Sequence, residues 1–297
     1  MNYRHAFHAG NFADVFKHAL LTLLLKSLHA KDTPFRYLET HAGGGRYDLE
    51  SEAARKTGEW RDGIARLWAR PDEFPELADY LAAVRAANPG GKLRFYPGSP
   101  RIARSLLRAQ DRMLLFELVP EECERLGHEF ARDAQVRIQA QDGYAGLKAV
   151  LPPPERRGLV LIDPPYEAAT EFTEAFKALK TAHQRWATGV YALWYPIKER
   201  APVTRLHARF AASGMRKVLC AEFLVYPEDT AFRLNGCGMV IVNPPWKLDD
   251  TLRGLLPRLL AALAAPAHPA PTALEHPCSS EPVAGRGQTT VSWLVPE

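Results

Sequence analysis

The sequence predicts a Rossmann-like α/β fold: a seven-stranded, mostly parallel sheet with a small inserted helical subdomain. Three observations predict it. Seven strand-length apolar runs recur along the chain, helical patterns separate most of them, and several runs end in acidic or glycine-rich turns.

The strand runs are residues 35–39, 113–118, 136–140, 159–163, 190–195, 217–225 and 238–243. A stretch such as Gly158-Leu-Val-Leu-Ile162 is apolar at every position after the glycine, the mark of a strand covered on both faces. Helical patterns over 13–30, 121–134, 168–187 and 203–213 supply crossovers. The last two runs are joined by a loop and predict a hairpin. Between the first and second strands the chain makes an excursion far longer than a crossover requires. Its amphipathic segments 59–69 and 75–87 are bounded by Pro71, Pro75 and Pro89-Gly90-Gly91, which predicts an inserted helical subdomain over 48–95. The sheet domain then comprises 1–47 and 96–297. The insert reads as a substrate-gripping lid or as a structural elaboration. Residues 261–287, rich in Ala and Pro and then small and polar, bury too little to fold and predict a disordered loop. The tail 289–296 regains β character and is placed at the sheet edge.

At 297 residues, 46% hydrophobic and 24% charged, the chain can build a core and is too apolar for disorder. Its longest helical apolar stretch, 19–25, is too short to span a bilayer, and the start Met1-Asn-Tyr-Arg-His lacks a signal-peptide pattern. A cytoplasmic protein with no membrane partner is expected, and a monomer. Cys123, Cys220, Cys237 and Cys278 are scattered with no CxxC spacing, so they predict ordinary thiols. A net charge of +4 permits nucleic acid without demanding it. Two arginine-rich stripes, Arg101/Arg104/Arg108/Arg112 and Arg55/Lys56/Arg61/Arg66/Arg70, could track phosphates. A solvated face is the plainer reading of both.

The chemistry concentrates in Asp163-Pro164-Pro165-Tyr166, directly after the apolar run. Paired prolines end a strand abruptly, because proline lacks the ladder N–H and fixes φ. The rigid corner offers a carboxylate, unpaired carbonyls and an aromatic face to one crevice. Those groups suit a planar ring bearing an exocyclic amine. Asp/Asn/Ser-Pro-Pro-aromatic is the signature of S-adenosylmethionine-dependent amino-methyltransferases, and this copy resembles it at all four positions. The plain alternative is a strand-terminating turn capped by Asp.

Other pieces fall at the carboxyl ends of successive strands, the face on which open α/β sheets bind ligands. Glu39 and Thr40-His41-Ala42-Gly43-Gly44-Gly45 form an acidic, then glycine-rich turn, which suits a sulfonium zwitterion better than a pyrophosphate. Glu117 ends the second strand, where a carboxylate can accept ribose hydroxyls. Asp142-Gly143 ends the third, where Asp142 could take an adenine amine, although an Asp-Gly turn competes. A second tetrapeptide, Asn243-Pro-Pro-Trp246, fits the same pattern, but its strand lies last, away from the expected cofactor crevice.

The N-terminal string Tyr3-Arg-His-Ala-Phe-His-Ala-Gly-Asn-Phe-Ala-Asp-Val-Phe-Lys-His18 resembles the RlmJ family of bacterial 23S rRNA (adenine-N6)-methyltransferases. The resemblance continues through Thr40-His-Ala-Gly, Phe95-Tyr-Pro-Gly-Ser-Pro100, Asp163-Pro-Pro-Tyr166, Tyr191-Ala-Leu-Trp-Tyr-Pro196, Asn243-Pro-Pro-Trp-Lys247 and Val291-Ser-Trp. Gly44 departs from a more usual alanine, and 261–287 is longer than in the family. The resemblance implies a class I S-adenosylmethionine-dependent methyltransferase that needs no metal, with 23S rRNA as partner. It implies that His18, His41, Ser99, Glu117, Asp142, Gly143 and Asp163 line the cofactor pocket. Tyr3, His5 and Lys17 would face the RNA, and Asp163, Pro164 and Tyr166 would be catalytic. Rival readings are a DNA N6-adenine or N4-cytosine methyltransferase and an idle RNA-binding protein on the same scaffold. A protein-glutamine methyltransferase would better fit Asn than Asp at residue 163.

Overall fold

A computed structural model describes residues 4–228, 230, 234–264 and 287–297. In chain order its strands are β1 (Arg36–Glu39), β2 (Arg46–Asp48), β3 (Phe95–Pro97), β4 (Arg112–Phe116), β5 (Val136–Gln139), β6 (Gly158–Ile162), β7 (Val190–Ile197), β8 (Val218–Leu224), β9 (Gly236–Val242) and β10 (Gln288–Val295). The helices are α1 (Phe12–Leu28), α2 (Glu52–Thr57), α3 (Ile64–Trp68), α4 (Ala78–Ala86), α5 (Ser99–Ser105), α6 (Pro120–Glu129), α7 (Gly143–Val150), α8 (Glu171–Arg185), α9 (Arg200–Ala211) and α10 (Leu248–Ala264).

The main sheet has the order β10-β8-β9-β7-β6-β1-β4-β5. From central β1 the chain winds outward to β4 and β5, then returns to β6 on the other side, and these neighbours pair in parallel. The reversal between β1 and β6 is the topological switch point, where open α/β sheets form their ligand crevice. The expected hairpin is β8–β9, antiparallel and followed inward by β7. The sheet has eight strands rather than seven. The extra one, β10, adds antiparallel to β8 and covers an edge that would otherwise present unpaired backbone groups.

Strand alternation feeds two cores. Tyr37, Leu115, Leu159 and Leu161 face α1, α4, α5 and α10, while Leu38, Leu114, Val160 and Ile162 face α7, α8 and α9. Helix α1 is buried around most of its circumference, so it reads as apolar nearly throughout. Asn11 caps it, accepting from Asp14 N at 2.9 Å, and the Asp14 carboxylate accepts in return from Gly10 N at 2.8 Å.

The excursion after β1 is closed by the antiparallel pair β2–β3. Its apolar side chains, Ile64, Leu67, Leu77 and Tyr80 among them, belong to the same buried cluster as α1. The segment 261–287 begins inside α10, since residues 261–264 are helical; residues 265–286 lie outside the described residues. Among the described residues, no helix is long and apolar enough to cross a membrane.

Candidate active site

A cleft of about 2110 Å³ opens over the carboxyl ends of β1, β4 and β6. A single small ligand typically occupies about 300–1,000 Å³, so there is room for two. Asp163, Pro164, Pro165 and Tyr166 form part of its wall, together with His41, Gly43, Ser99, Glu117, Lys17 and His18.

Beyond β6 the proline pair releases the chain from the sheet, and Tyr166 takes a left-handed φ of +52°. Its hydroxyl donates to the Trp194 carbonyl at 2.6 Å, and its ring lies 4.7 Å from that of Phe172. The ring is thereby fixed against β7. Asp163 meets Lys17, whose ammonium lies 2.6 Å from Asp163 Oδ2 and 3.0 Å from Asp14 Oδ1. Asp14 also lies 3.0 Å from His5 Nε2. Burial alone would raise the Asp14 carboxyl, but His5 and Lys17 hold it well below the usual carboxylate range. The line His5–Asp14–Lys17–Asp163 is thus one connected polar network running from the N-terminal segment to the proline corner.

A second network lies under β1. Glu39 is wholly buried, accepts from the Tyr37 hydroxyl at 2.8 Å, and accepts from the Ser99 hydroxyl. Burial pushes its carboxyl up to about 8 despite those two donors. His18 is equally buried. Its Nδ1 is 2.6 Å from the Tyr96 hydroxyl, and its Nε2 has no hydrogen-bond partner among the described residues. Desolvation holds its basicity well below that of an ordinary imidazole, so the ring is neutral at pH 7.

The glycine turn needs its glycines. Gly43 has a φ of +62°, and its N–H donates at 2.7 Å to Glu117 Oε2. Glu117 Oε1 accepts from Val119 N at 2.8 Å, so each oxygen keeps a lone pair. Burial raises the Glu117 carboxyl. His41 pairs with the Thr40 hydroxyl at 2.7 Å, and burial lowers its pKa to about 4.

Not every expected residue reaches the cleft. Asp142 is exposed and caps α7, accepting from Ala145 N at 2.7 Å, and neither it nor Gly143 belongs to the wall. Gly143 instead packs under the β1 turn, where a Cβ would stand 2.1 Å from the Thr40 carbonyl oxygen. Lys17 lines the cleft but is buried, its charge turned on Asp14 and Asp163. Tyr3 lies outside the described residues. Sequence reasoning missed Asp14 and Tyr96. Asp14 carried a signal, since it precedes Lys17 by three positions on a helix and must share its face. The Asn243 turn sits at the opposite end of the strands from the cleft, because β9 runs antiparallel to β7. Val242 is in register with Tyr191 at the start of β7, and the Asn243 amide donates to the Ala187 and Gly189 carbonyls at 2.8 Å each. It is a structural corner.

Residues 32–271 match the family described as ribosomal RNA large subunit methyltransferase D, RlmJ. The chain belongs to that family. It is 45% identical over 297 residues to ribosomal RNA large subunit methyltransferase J of Escherichia coli, covering 100% of each chain. The protein of that name from Haemophilus influenzae is 42% identical over 298 residues, again with 100% of each covered. The crystal structure of protein LPL1258 from Legionella pneumophila superposes with a TM-score of 0.84 at 33% identity, over 96% of this chain and 98% of that one. For a member of this family, the corner at Asp163 and the cleft it borders stand where the sheet reverses direction.

Proposed function

We propose that this chain transfers a methyl group from S-adenosylmethionine to N6 of an adenine in 23S ribosomal RNA. The observation that carries this reading is the Asp163-Pro164-Pro165-Tyr166 corner, at the end of the strand beside β1, opening on a cleft shared with Glu117 and the glycine turn. Both full-length relatives are named for methylation of large-subunit ribosomal RNA.

The residues present fit the cofactor. His18 Nε2, buried and without a hydrogen-bond partner among the described residues, gives a donor or acceptor, and Glu117 retains lone pairs for ribose hydroxyls. His18, His41, Ser99 and Glu117 would hold the cofactor at the cleft wall, while Asp142 and Gly143 would support that wall from behind. When bound, S-adenosylmethionine supplies an activated methyl group on its sulfonium.

The chain's own residues do the rest. An adenine leaving its stack costs a few kcal/mol. Tyr166, locked by its bond to Trp194, offers a face on which the flipped ring stacks, worth about 1–3 kcal/mol. Asp163 and the Pro164 carbonyl accept the two N6 hydrogens and draw the nitrogen lone pair out of conjugation. Lys17 fixes the Asp163 carboxylate, so acceptor geometry is set before the base arrives. The N6 proton passes to Asp163 or to water after transfer.

The test is nucleoside mass spectrometry of ribosomal RNA from cells with and without the gene. Loss of N6-methyladenosine from 23S rRNA is expected. An unchanged content rejects the reading, and transfer to DNA alone in vitro would favour the DNA amino-methyltransferase.

A further inference from the structure

Of the two arginine-rich stripes, the structure consumes one almost entirely. Arg101 pairs with Glu129, Arg104 with Asp133, and Arg108 with Asp111, while Arg112 donates to the carbonyls of Ala109 and Asp111. In the other stripe, Arg66 is tied to Asp62 and the Leu263 carbonyl, and Arg70 approaches Glu73. Arg55, Lys56 and Arg61 are different. All three are exposed, and none forms a salt bridge among the described residues. Asp48 and Glu50, two acids within reach of the Arg55 charge, are already paired with Arg94 and Lys92 at 3.0 and 2.5 Å.

These three cations share one edge. Arg55 and Lys56 form the last turn of α2, and Gly58 caps it. The Arg61 guanidinium folds back onto that cap, 2.9 Å from where a Gly58 Cβ would be, and lies over the Trp60 ring at 5.3 Å. Lys56 belongs to the cleft wall, so the patch stands at the mouth of the site. The cleft itself has the opposite sign, since acidic side chains outnumber basic ones along its wall. Phosphates are repelled from such a wall, while a neutral base can enter it. The base and its backbone therefore need separate places.

We propose that Arg55, Lys56 and Arg61 hold the RNA phosphodiester backbone at the cleft mouth, so that only the target nucleotide's base passes inside. This deepens the RNA methyltransferase reading and rests on it. The charge pattern assigns the patch a sequence-independent role in affinity, with recognition of the base left to the Asp163 corner.

The experiment compares methyl transfer to a 23S rRNA transcript by wild type, by Arg55→Gln/Lys56→Gln/Arg61→Gln, and by Arg132→Gln/Arg205→Gln/Arg209→Gln. The last variant removes the same charge from exposed positions that are not part of the cleft wall. The α2 variant should raise KM for RNA roughly tenfold and flatten the log–log dependence of KM on salt by about 2, with kcat and S-adenosylhomocysteine affinity unchanged. The control variant should behave as wild type. An unaltered KM and salt slope in the α2 variant, or an equal change in the control, overturns the proposal alone. A wild-type protein that transfers no methyl group to RNA overturns the underlying reading as well.

Discussion

Lys17 and Asp163 lie 146 positions apart in the chain, and their side chains meet at 2.6 Å. The same ammonium serves Asp14 at 3.0 Å, so one largely buried cation stands between two carboxylates. Removing it leaves both acids facing each other away from water. Lys17→Met should therefore cost about 3 kcal/mol in urea denaturation. Transfer should fall about 10²-fold as Asp163 loses its fixed orientation. A variant of wild-type rate would show that Asp163 is positioned by something else.

Asp163→Asn separates chemistry from scaffold. The amide keeps the volume, and Lys17 keeps Asp14, so the stability loss should be near 1 kcal/mol. Lys17 draws the amide oxygen and turns the nitrogen toward N6, where it donates rather than accepts, so transfer should fall about 10²-fold or more. S-adenosylhomocysteine titrated calorimetrically should still bind. Residual turnover within tenfold of wild type would remove Asp163 from the catalytic role.

The visibility of these features in the sequence follows the range of the forces involved. The apolar run at 158–162 announced a strand because burial on both faces leaves no polar alternation, and the two prolines announced its end. Both are local signals. The Lys17–Asp163 contact is set by how α1 packs on the β1–β6 pair, and no local pattern encodes it. The depth of Glu39 was hidden for the same reason, because a strand-end acid looks alike whether it meets solvent or two hydroxyls. Asp142 shows the converse. Its Asp-Gly turn was legible, and in the fold that turn opens α7, with one carboxylate oxygen accepting from Ala145 N. The eighth strand was readable as a β-rich tail, but its pairing with β8 depends on the path of the chain before it.

Glu39 predicts a pH dependence of stability. Its folded pKa, near 8, lies above the ordinary value of 4.5, because burial disfavours the charged form. The folded state then binds more protons than the unfolded one between these values, so stability falls as pH rises through that window. The contribution is fully present below about pH 4.5 and lost as pH passes about 8. Glu39→Gln removes the titration. Relative to wild type, it should gain urea resistance at the alkaline end of the window compared with the acid end. A stability difference that does not change with pH would mean the carboxyl titrates normally.

Gly143 supports the β1 turn by close approach. A Cβ there would stand 2.1 Å from the Thr40 oxygen and 2.7 Å from the Thr40 carbonyl carbon, and backbone cannot swing aside as a side chain does. Gly143→Ala should cost about 1–3 kcal/mol, as overpacking does. It should also weaken S-adenosylhomocysteine binding, because His41 follows Thr40 directly. Thermal melting with and without that ligand measures both effects. Unchanged ligand affinity would uncouple the β1 turn from the cofactor site.

Tyr166 offers a ring and a hydroxyl, and substitution tells them apart. The hydroxyl is spent on the Trp194 carbonyl at 2.6 Å, which orients the ring without touching the base. Tyr166→Phe keeps the stacking face and the 4.7 Å contact with Phe172, so transfer should drop only severalfold. Tyr166→Ala removes the face on which the flipped adenine rests, a loss of about 1–3 kcal/mol that appears as a tenfold to hundredfold fall in kcat/KM. Phe and Ala variants of equal activity would mean that the ring does not stack on the base. A Phe variant as impaired as Ala would move the weight to the hydroxyl and its hold on β7.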